Sequence, residues 1–426
     1  MVVKAGNSLL RPAINFFKKN GTPIVQMVVR TGDFLHKPVT SFLRKSGMLI
    51  VLVVVIGLFE ALLSFNDKSS LLTPENLTNL IRQNSYVVIL ATGMLLCILT
   101  GGNIDLSVGS VVMLVGAISG VLIVNMKLDP YLSILICLIA ATLIGAWQAF
   151  WIAYVRVPPF VTTLSGMLVF RGLARIIMGS QGISGYPDKY LTLFNSFIPG
   201  AGSDAAFIQI LSVILAVIIC GVLVGIQVFS RIQKKRKGYA VENIVWMIVR
   251  LVAICAVIIY VFLNLGQDRG LPVILIILGV IVLFYSYFTL NTVPGRYLYA
   301  MGGNEKAARL SGVNTKKMMF FAYTNMGFLS GVTALVVVAR FAQASTQAGI
   351  GYELDAIGAC FIGGASAYGG VGTVGGAIIG AIFIGVLNMG MSLLGADQNL
   401  QQVVKGLVLL AAVVVDVVSK SRKQAA

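Results

Sequence analysis

The sequence predicts an all-α, polytopic membrane protein of about twelve transmembrane helices, with broken helices among them. Of its 426 residues, 58% are hydrophobic and only 11% charged, and the mean hydropathy is +0.92. That is more apolar surface than a soluble core of this size can bury. The formal net charge of +17 would suggest nucleic acid as a partner of a soluble protein, but its distribution argues otherwise. About two-thirds of the Lys and Arg fall before Gly47, at Arg156, in Arg231–Lys237, in Arg296–Lys317 and after Ser419. Alternate counting of spans puts these segments on one side, so cations retained in cytoplasmic loops account for the charge and no nucleic acid is expected.

The chain opens on a basic tail, residues 1–47, in which the stretch SLLRPAINFFKK mixes apolar and basic residues and suits either the membrane surface or a solvated anchor. This tail is too long to be the basic part of a cleavable signal. With a ruler of about 20 apolar residues per crossing, spans fall near 48–65, 86–99, 106–126, 131–154, 160–178, 206–228, 243–265, 271–290, 319–340, 354–366, 373–394 and 400–418. An even count places both termini in the cytoplasm, in agreement with the basic tail and with Lys420, Arg422 and Lys423. The expected organisation is therefore a cytoplasmic tail over 1–47, one transmembrane domain over 48–418 that includes a cytoplasmic loop at 291–318, and a short cytoplasmic tail over 419–426. No soluble linker divides it.

Two segments interrupt the run of uniform spans. Thr100–Ser110 reads TGGNIDLSVGS, and Gly349–Gly376 reads GIGYELDAIGACFIGGASAYGGVGTVGG. Irregular backbone at membrane depth is tolerated only beside protein or a water-filled cavity, so a break in each half points to a substrate pathway. Asp105 is the most informative carboxylate, because a charge at that depth requires a partner, a cap or water. Asn103, Asp105 and Ser107 are candidates to line the pathway, the alternative being a purely structural helix cap. Glu353 and Asp355 are further candidates at the start of the tenth span, where acids at a helix start are also an ordinary preference. Arg171 and Arg175, a one-face pair at helical spacing, suggest snorkelling at the outer interface, the alternative being docking of an external partner.

Gly370–Gly375 satisfies the G-x-G-x-x-G dinucleotide pattern, but no soluble strand precedes it, and Gly372, Gly376 and Gly380 repeat at the four-residue spacing of close membrane-helix packing. Cys97, Cys137, Cys220, Cys255 and Cys360 lie inside apolar runs, where packing is their usual role. His36 is the only histidine, and an intact Walker A pattern is missing, so triad chemistry, zinc catalysis and ATP hydrolysis on this chain lack their residues. The loop Gly295–Lys317 remains. Within it EKAARLSG reads as a short helix capped by Asn304, with Glu305 in its first turn, a small apolar surface of Ala307, Ala308 and Leu310, and Gly312 as its stop. Such a helix suits a groove in a partner, or serves as an ordinary connector.

Four segments, GGNIDLSVGS, VPPFVTTLSGMLVFRGLA, GRYLYAMGGNEKAARLSGVN and ELDAIGACFIGGASAYGGVGTVGGAIIGA, occur in this order and closely resemble the permease subunits of bacterial ABC importers for ribose, xylose, arabinose and galactose. The resemblance runs from about Leu72 to Asp416. The spans around 206–265 with RIQKKRKGY between them resemble the xylose and multiple-monosaccharide permeases more than the shorter ribose type. It implies the fold of a type II-like ABC importer permease in the bacterial cytoplasmic membrane, and a homodimer or close pair of permeases. It also implies a cytoplasmic ABC ATPase that carries the ATP, an extracytoplasmic sugar-binding protein, and no cofactor on this chain. Gly303, Asn304, Glu305, Ala308, Arg309, Ser311 and Gly312 match the segment that contacts the ATPase in such importers. Asn103 departs from relatives with a shorter GG-IDLS, and the first 47 residues match no motif.

The expected function is translocation of a monosaccharide, xylose or a range of pentoses and hexoses. Other solutes, namely a nucleoside, autoinducer-2 or a branched-chain amino acid, fit the same architecture. A secondary transporter with Asp105 as coupling carboxylate is a further alternative, and an intramembrane enzyme is disfavoured because no His or second carboxylate accompanies Asp105.

Overall fold

The computed structural model describes residues 47–200, 204–239 and 243–424, so the expected tail over 1–47 lies outside the described residues except for Gly47, which opens the first helix. Two compact units divide at Val54 and Val55. Of the first, the described part is the opening of helix α1 (Gly47–Phe65). In the second, Thr73 accepts the Asn76 N–H and Pro74 opens α2 (Pro74–Leu99), the arrangement expected of a capped helix with Pro in its first turn. At 26 residues this helix corrects the expectation of a short span over 86–99. Polar residues from Asn76 to Ser85 hide its first half from a hydropathy window, yet they ride on the helix.

There follow α3 (Val108–Gly120), α4 (Pro130–Phe150), α5 (Pro159–Met178), the strand β1 (Ile183–Ser184), α6 (Asp188–Asn195) and β2 (Phe197–Ile198). Then come α7 (Ala205–Arg236), α8 (Ile244–Gln267), β3 (Leu271–Pro272), α9 (Ile274–Asn291), α10 (Val293–Gly303) and α11 (Glu305–Leu310). The chain closes with α12 (Thr315–Phe341), β4 (Gln343–Ala344), α13 (Tyr352–Ile362), α14 (Val374–Leu394) and α15 (Gln398–Gln424). Eleven helices among the described residues are long and apolar enough to cross a membrane. The tenth expected span, 354–366, is the 11-residue α13 followed by irregular chain. The last helix does not stop at 418 but runs to Gln424, so most of the tail expected over 419–426 is helical.

Two short antiparallel ribbons, β1 with β4 and β2 with β3, draw the connections near residues 184, 198, 271 and 344 together at one end, hereafter the ribbon end. At the opposite end Arg156 reaches Glu305 of α11 at 3.3 Å, which marks the connector end. Core and periphery separate clearly. Most of the apolar length of α2 is buried and most of that of α8 is exposed, so α2, α3, α12 and α14 form the interior while α7 and α8 present apolar side chains outward, as lipid-solvated helices do.

Close approaches depend on small residues. A Cβ on Gly327 would collide with Gly145, and one on Gly380 with the Ala359 carbonyl, so α12 seats on α4 and α14 on α13 by backbone contact. Of the stripe expected at 372, 376 and 380, Gly376 and Gly380 lie on α14, while Gly372 precedes it in the loop.

Candidate functional site

Two passages through the fold are half helix and half irregular, and they are complementary. From Leu99, at the connector end of α2, residues 100–107 climb without helix until α3 begins at Val108. Residues 345–351 descend from the ribbon end until α13 begins at Tyr352. They meet where a Cβ on Gly109 would strike the Gly349 carbonyl oxygen and lie 2.6 Å from Glu353 Oε2. Only glycines allow two backbones to touch there.

Asp105 and Ser107 lie on the connector side of this crossing. Asp105 is buried, and one carboxylate oxygen accepts both the Ser107 N–H at 2.8 Å and the Ser107 hydroxyl at 2.6 Å. The Ser107 oxygen in turn accepts the Gln148 side-chain N–H at 2.8 Å. The carboxylate thus secures the turn just ahead of α3, and Ser107, at the N-cap position, makes no side-chain cap bond. Asn103 is half-buried and donates to the Thr100 hydroxyl at 3.1 Å.

Glu353 and Asp355 stand on the other side, in a cavity of about 380 Å³, within the range of small-molecule sites. Its wall comes from the middle of α2 (Gln83, Tyr86), the end of α12 (Arg340), the start of α13, the end of α14 (Asn388, Ser392) and the start of α15 (Gln401, Lys405). Asp355 is 2% exposed by side chain; its Oδ2 accepts from the Tyr86 hydroxyl at 2.5 Å and from Lys405 at 3.1 Å, and its Oδ1 lies 3.0 Å from the same ammonium as an ion pair. Tyr86 stacks on Tyr352 with centroids 3.9 Å apart, and Arg340 donates to the Gln83 carbonyl at 3.0 Å. Glu353 faces Arg171 of α5 at 3.9 Å. Arg171 therefore turns inward toward a carboxylate instead of snorkelling. Glu353 Oε2, Arg171 Nε and Nη2, and Asn388 Oδ1 are buried without a hydrogen-bond partner, donors and acceptors of the kind a hydroxylated solute or water satisfies.

Sequence reasoning missed Tyr86, Arg340 and Lys405. The signal was present: Gln398, Gln401, Gln402 and Lys405 repeat at helical spacing and mark one polar face of a helix that hydropathy alone presents as uniform. Among the described residues no group of three or more His, Cys, Asp or Glu could hold a metal.

At the connector end, Asn304 accepts the Ala307 N–H at 3.0 Å, and Glu305 opens α11. Gly303, Glu305, Arg309, Ser311 and Gly312 are exposed, but Ala308 is 6% exposed while Leu310 is 88% exposed. The expected surface of Ala307, Ala308 and Leu310 is thus corrected: Ala308 points into the protein and Leu310 is the apolar tip. The glycine loop after α13 reaches this region. Tyr299 of α10 donates to the Gly372 carbonyl at 2.8 Å, and a Cβ on Gly302 would collide with both Leu99 and Gly370. Burial raises the Tyr299 phenol above its ordinary pKa, so it stays a donor at neutral pH.

Broken helices beside a polar cavity, in an all-α bundle of apolar spans, are the architecture of a polytopic membrane permease. A family model described as "Branched-chain amino acid transport system / permease component" matches residues 76–413. The chain belongs to that family. It is 33% identical over 377 residues to the xylose transport system permease protein XylH of Escherichia coli (strain K12), covering 87% of this chain and 91% of that protein. It is 32% identical over 344 residues to the ribose import permease protein RbsC of the same organism, covering 81% and 86%. The Haemophilus influenzae XylH is 33% identical over 376 residues, covering 87% and 96%. No solved structure matches.

Proposed function

We propose that this chain is the membrane-spanning subunit of an ABC importer that moves a monosaccharide, with xylose the first candidate, across the cytoplasmic membrane. The observation that carries this reading is the cavity's chemistry. Arg340 and Lys405 offset Glu353 and Asp355 on its wall, with Arg171 beside Glu353, so the carboxylates are countered by cations, while amides, carboxylates and a tyrosine pair offer hydrogen bonds and an apolar face to a neutral polyol. The names of the xylose and ribose relatives support the same class.

In this reading Glu353 and Asp355 line the passage on the ribbon side of the Gly109–Gly349 crossing, and Asn103, Asp105 and Ser107 line its continuation when the crossing parts. Both termini lie in the cytoplasm, as does the segment 291–318. A homodimer forms the pathway, an extracytoplasmic binding protein delivers the sugar, and a separate ATPase, which carries the ATP, is contacted through Gly303, Asn304, Glu305, Arg309, Ser311 and Gly312, with Ala308 supporting them from beneath. No cofactor is assigned to this chain. Substrate contacts must stay weak enough for release.

The test is ATP-dependent uptake of labelled xylose, ribose, arabinose, galactose and glucose into vesicles holding this chain with its ATPase and binding protein. Uptake of one or more supports the reading. Failure of all five, with uptake of leucine or a nucleoside instead, overturns the sugar and keeps the permease. Uptake that survives ATP depletion and collapses with an uncoupler overturns the ABC assignment.

A further inference from the structure

Helix α7 is longer than its task of crossing the membrane requires. Its 32 residues extend about 48 Å at 1.5 Å per residue, against about 30 Å of hydrocarbon. The surplus is cationic. Arg231, Lys234, Lys235, Arg236 and Lys237 follow one another with no acidic residue between Ala205 and Tyr239, and Glu242 is the one acid between residues 205 and 267. At 100° per residue, Lys234, Lys235, Arg236 and Lys237 point in four directions around the axis, and all four are exposed. Arg231, one turn earlier, turns toward α8, with its guanidinium 3.9 Å from the Met247 sulfur.

The rest of α7 is equally outward-facing. Ser212, Ala216 and Cys220 are its buried residues, while Val217, Val222, Ile226 and Phe229 are 55% to 64% exposed. Directly below the cations lies Phe229, and Tyr239, 65% exposed, lies beyond them, where amphipathic aromatics mark the membrane interface.

We infer that Lys234, Lys235, Arg236 and Lys237 form a collar that binds the headgroups of anionic phospholipids surrounding α7. A protein partner reads one face of a helix, whereas a helix leaving the bilayer meets headgroups on every side, and the charges are distributed on every side. Complementarity of sign is complete, since nothing acidic on α7 competes. Near an anionic surface each Lys or Arg raises affinity by about fivefold. The collar holds the α7–α8 pair in an anionic lipid environment.

The experiment purifies the full chain from membranes, equilibrates it with equal amounts of phosphatidylglycerol and phosphatidylcholine in nanodiscs, and measures by mass spectrometry the lipid retained after detergent exchange. The wild type should retain phosphatidylglycerol preferentially. Lys234→Gln, Lys235→Gln, Arg236→Gln and Lys237→Gln combined should lower that preference at least tenfold, and Lys234→Arg, Lys235→Arg and Lys237→Arg combined should preserve it. A quadruple glutamine variant with unchanged preference overturns the inference. So does an equal loss when Lys306, Arg309, Lys316 and Lys317 are neutralised instead, because the effect would then follow net charge and not the collar. Loss of a co-purifying protein with lipid retention intact also overturns it, in favour of a protein partner. Should the quadruple variant not fold, the wild type in about 0.5 M salt, where screening falls to a few ångströms, must lose the preference; retention there overturns the inference.

Discussion

Lys405→Met tests whether the ion pair at the cavity wall is part of the solute path or only scaffolding. Asp355 is 2% exposed and Lys405 20% exposed by side chain, 3.0 Å apart. Breaking a buried pair by removing one partner costs about 3–5 kcal/mol. Because Lys405 keeps some contact with solvent, and the Tyr86 hydroxyl still donates to Asp355, the low end of that range, about 3 kcal/mol, is expected. That is about a hundredfold in the unfolding equilibrium. Asp355→Asn should cost less, about 1–2 kcal/mol, since the freed ammonium can turn toward water. In the double variant Asp355→Asn with Lys405→Met no uncompensated charge remains, and the cycle should show a coupling of at least about 1 kcal/mol.

Unfolding in mixed micelles measures these energies, and labelled sugar uptake in vesicles measures function. If Asp355 and Lys405 touch the solute, the double variant regains stability yet takes up sugar at least tenfold more slowly than the wild type. Wild-type uptake by the double variant would refute a role in the path. Additive stability losses would refute the pairing itself.

Leu310→Glu should leave unfolding unchanged and sharply reduce co-purification of the ATPase, whereas Ala308→Glu, at a buried position, should destabilise the chain by about 2 kcal/mol or more; melting and co-purification of both variants measure the contrast. Gly109→Ala puts a methyl against the Gly349 carbonyl and beside Glu353, so it should cost about 1–3 kcal/mol and impair uptake, as melting and uptake assays would record. Tyr299→Phe removes the bond to Gly372 for about 1 kcal/mol, and should uncouple ATP hydrolysis from uptake, read as hydrolysis that sugar no longer stimulates.

The spans were legible wherever apolar residues dominate. The period of about 20 residues located α1, α4, α5 and α8 to within a few residues, and the start of α7, whose cationic end runs past the expected 228, because lipid-facing helices must be apolar along their length. Interior helices gave less away. In α2 the polar residues Asn76, Arg82 and Asn84 lie on an element shielded by other protein, so hydropathy hid its first half. The two breaks were visible because glycine and carboxylate do not occur casually at membrane depth. Pairing was not visible: nothing local tells Asp355 that its partner is Lys405, 50 residues on, and only the polar face of α15 hinted at it. For Ala308 the sequence showed a small residue on a short helix but not which way it faces, since a six-residue helix has too few turns to reveal a buried side.

The cavity and the connector end are joined by one short stretch of chain, and this joint explains why a broken helix is useful. α13 begins with Tyr352, Glu353 and Asp355 on the cavity wall, and its trailing loop ends against α10. A full-length helix would be fixed by lipid contacts along its whole surface. An 11-residue helix flanked by irregular chain is instead fixed at its two ends, by the Gly109–Gly349 crossing and by its trailing loop. Its far loop is held by the Gly370 N–H on the Leu99 carbonyl at 3.2 Å and by the Ala367 N–H on Asp416 at 3.3 Å. Leu99 is also where the other broken passage starts toward Asp105, so a displacement of α10 reaches both passages through the same few backbone contacts. The glycines at 302 and 370 permit that contact, and side chains there would separate the connector from the cavity by their own thickness.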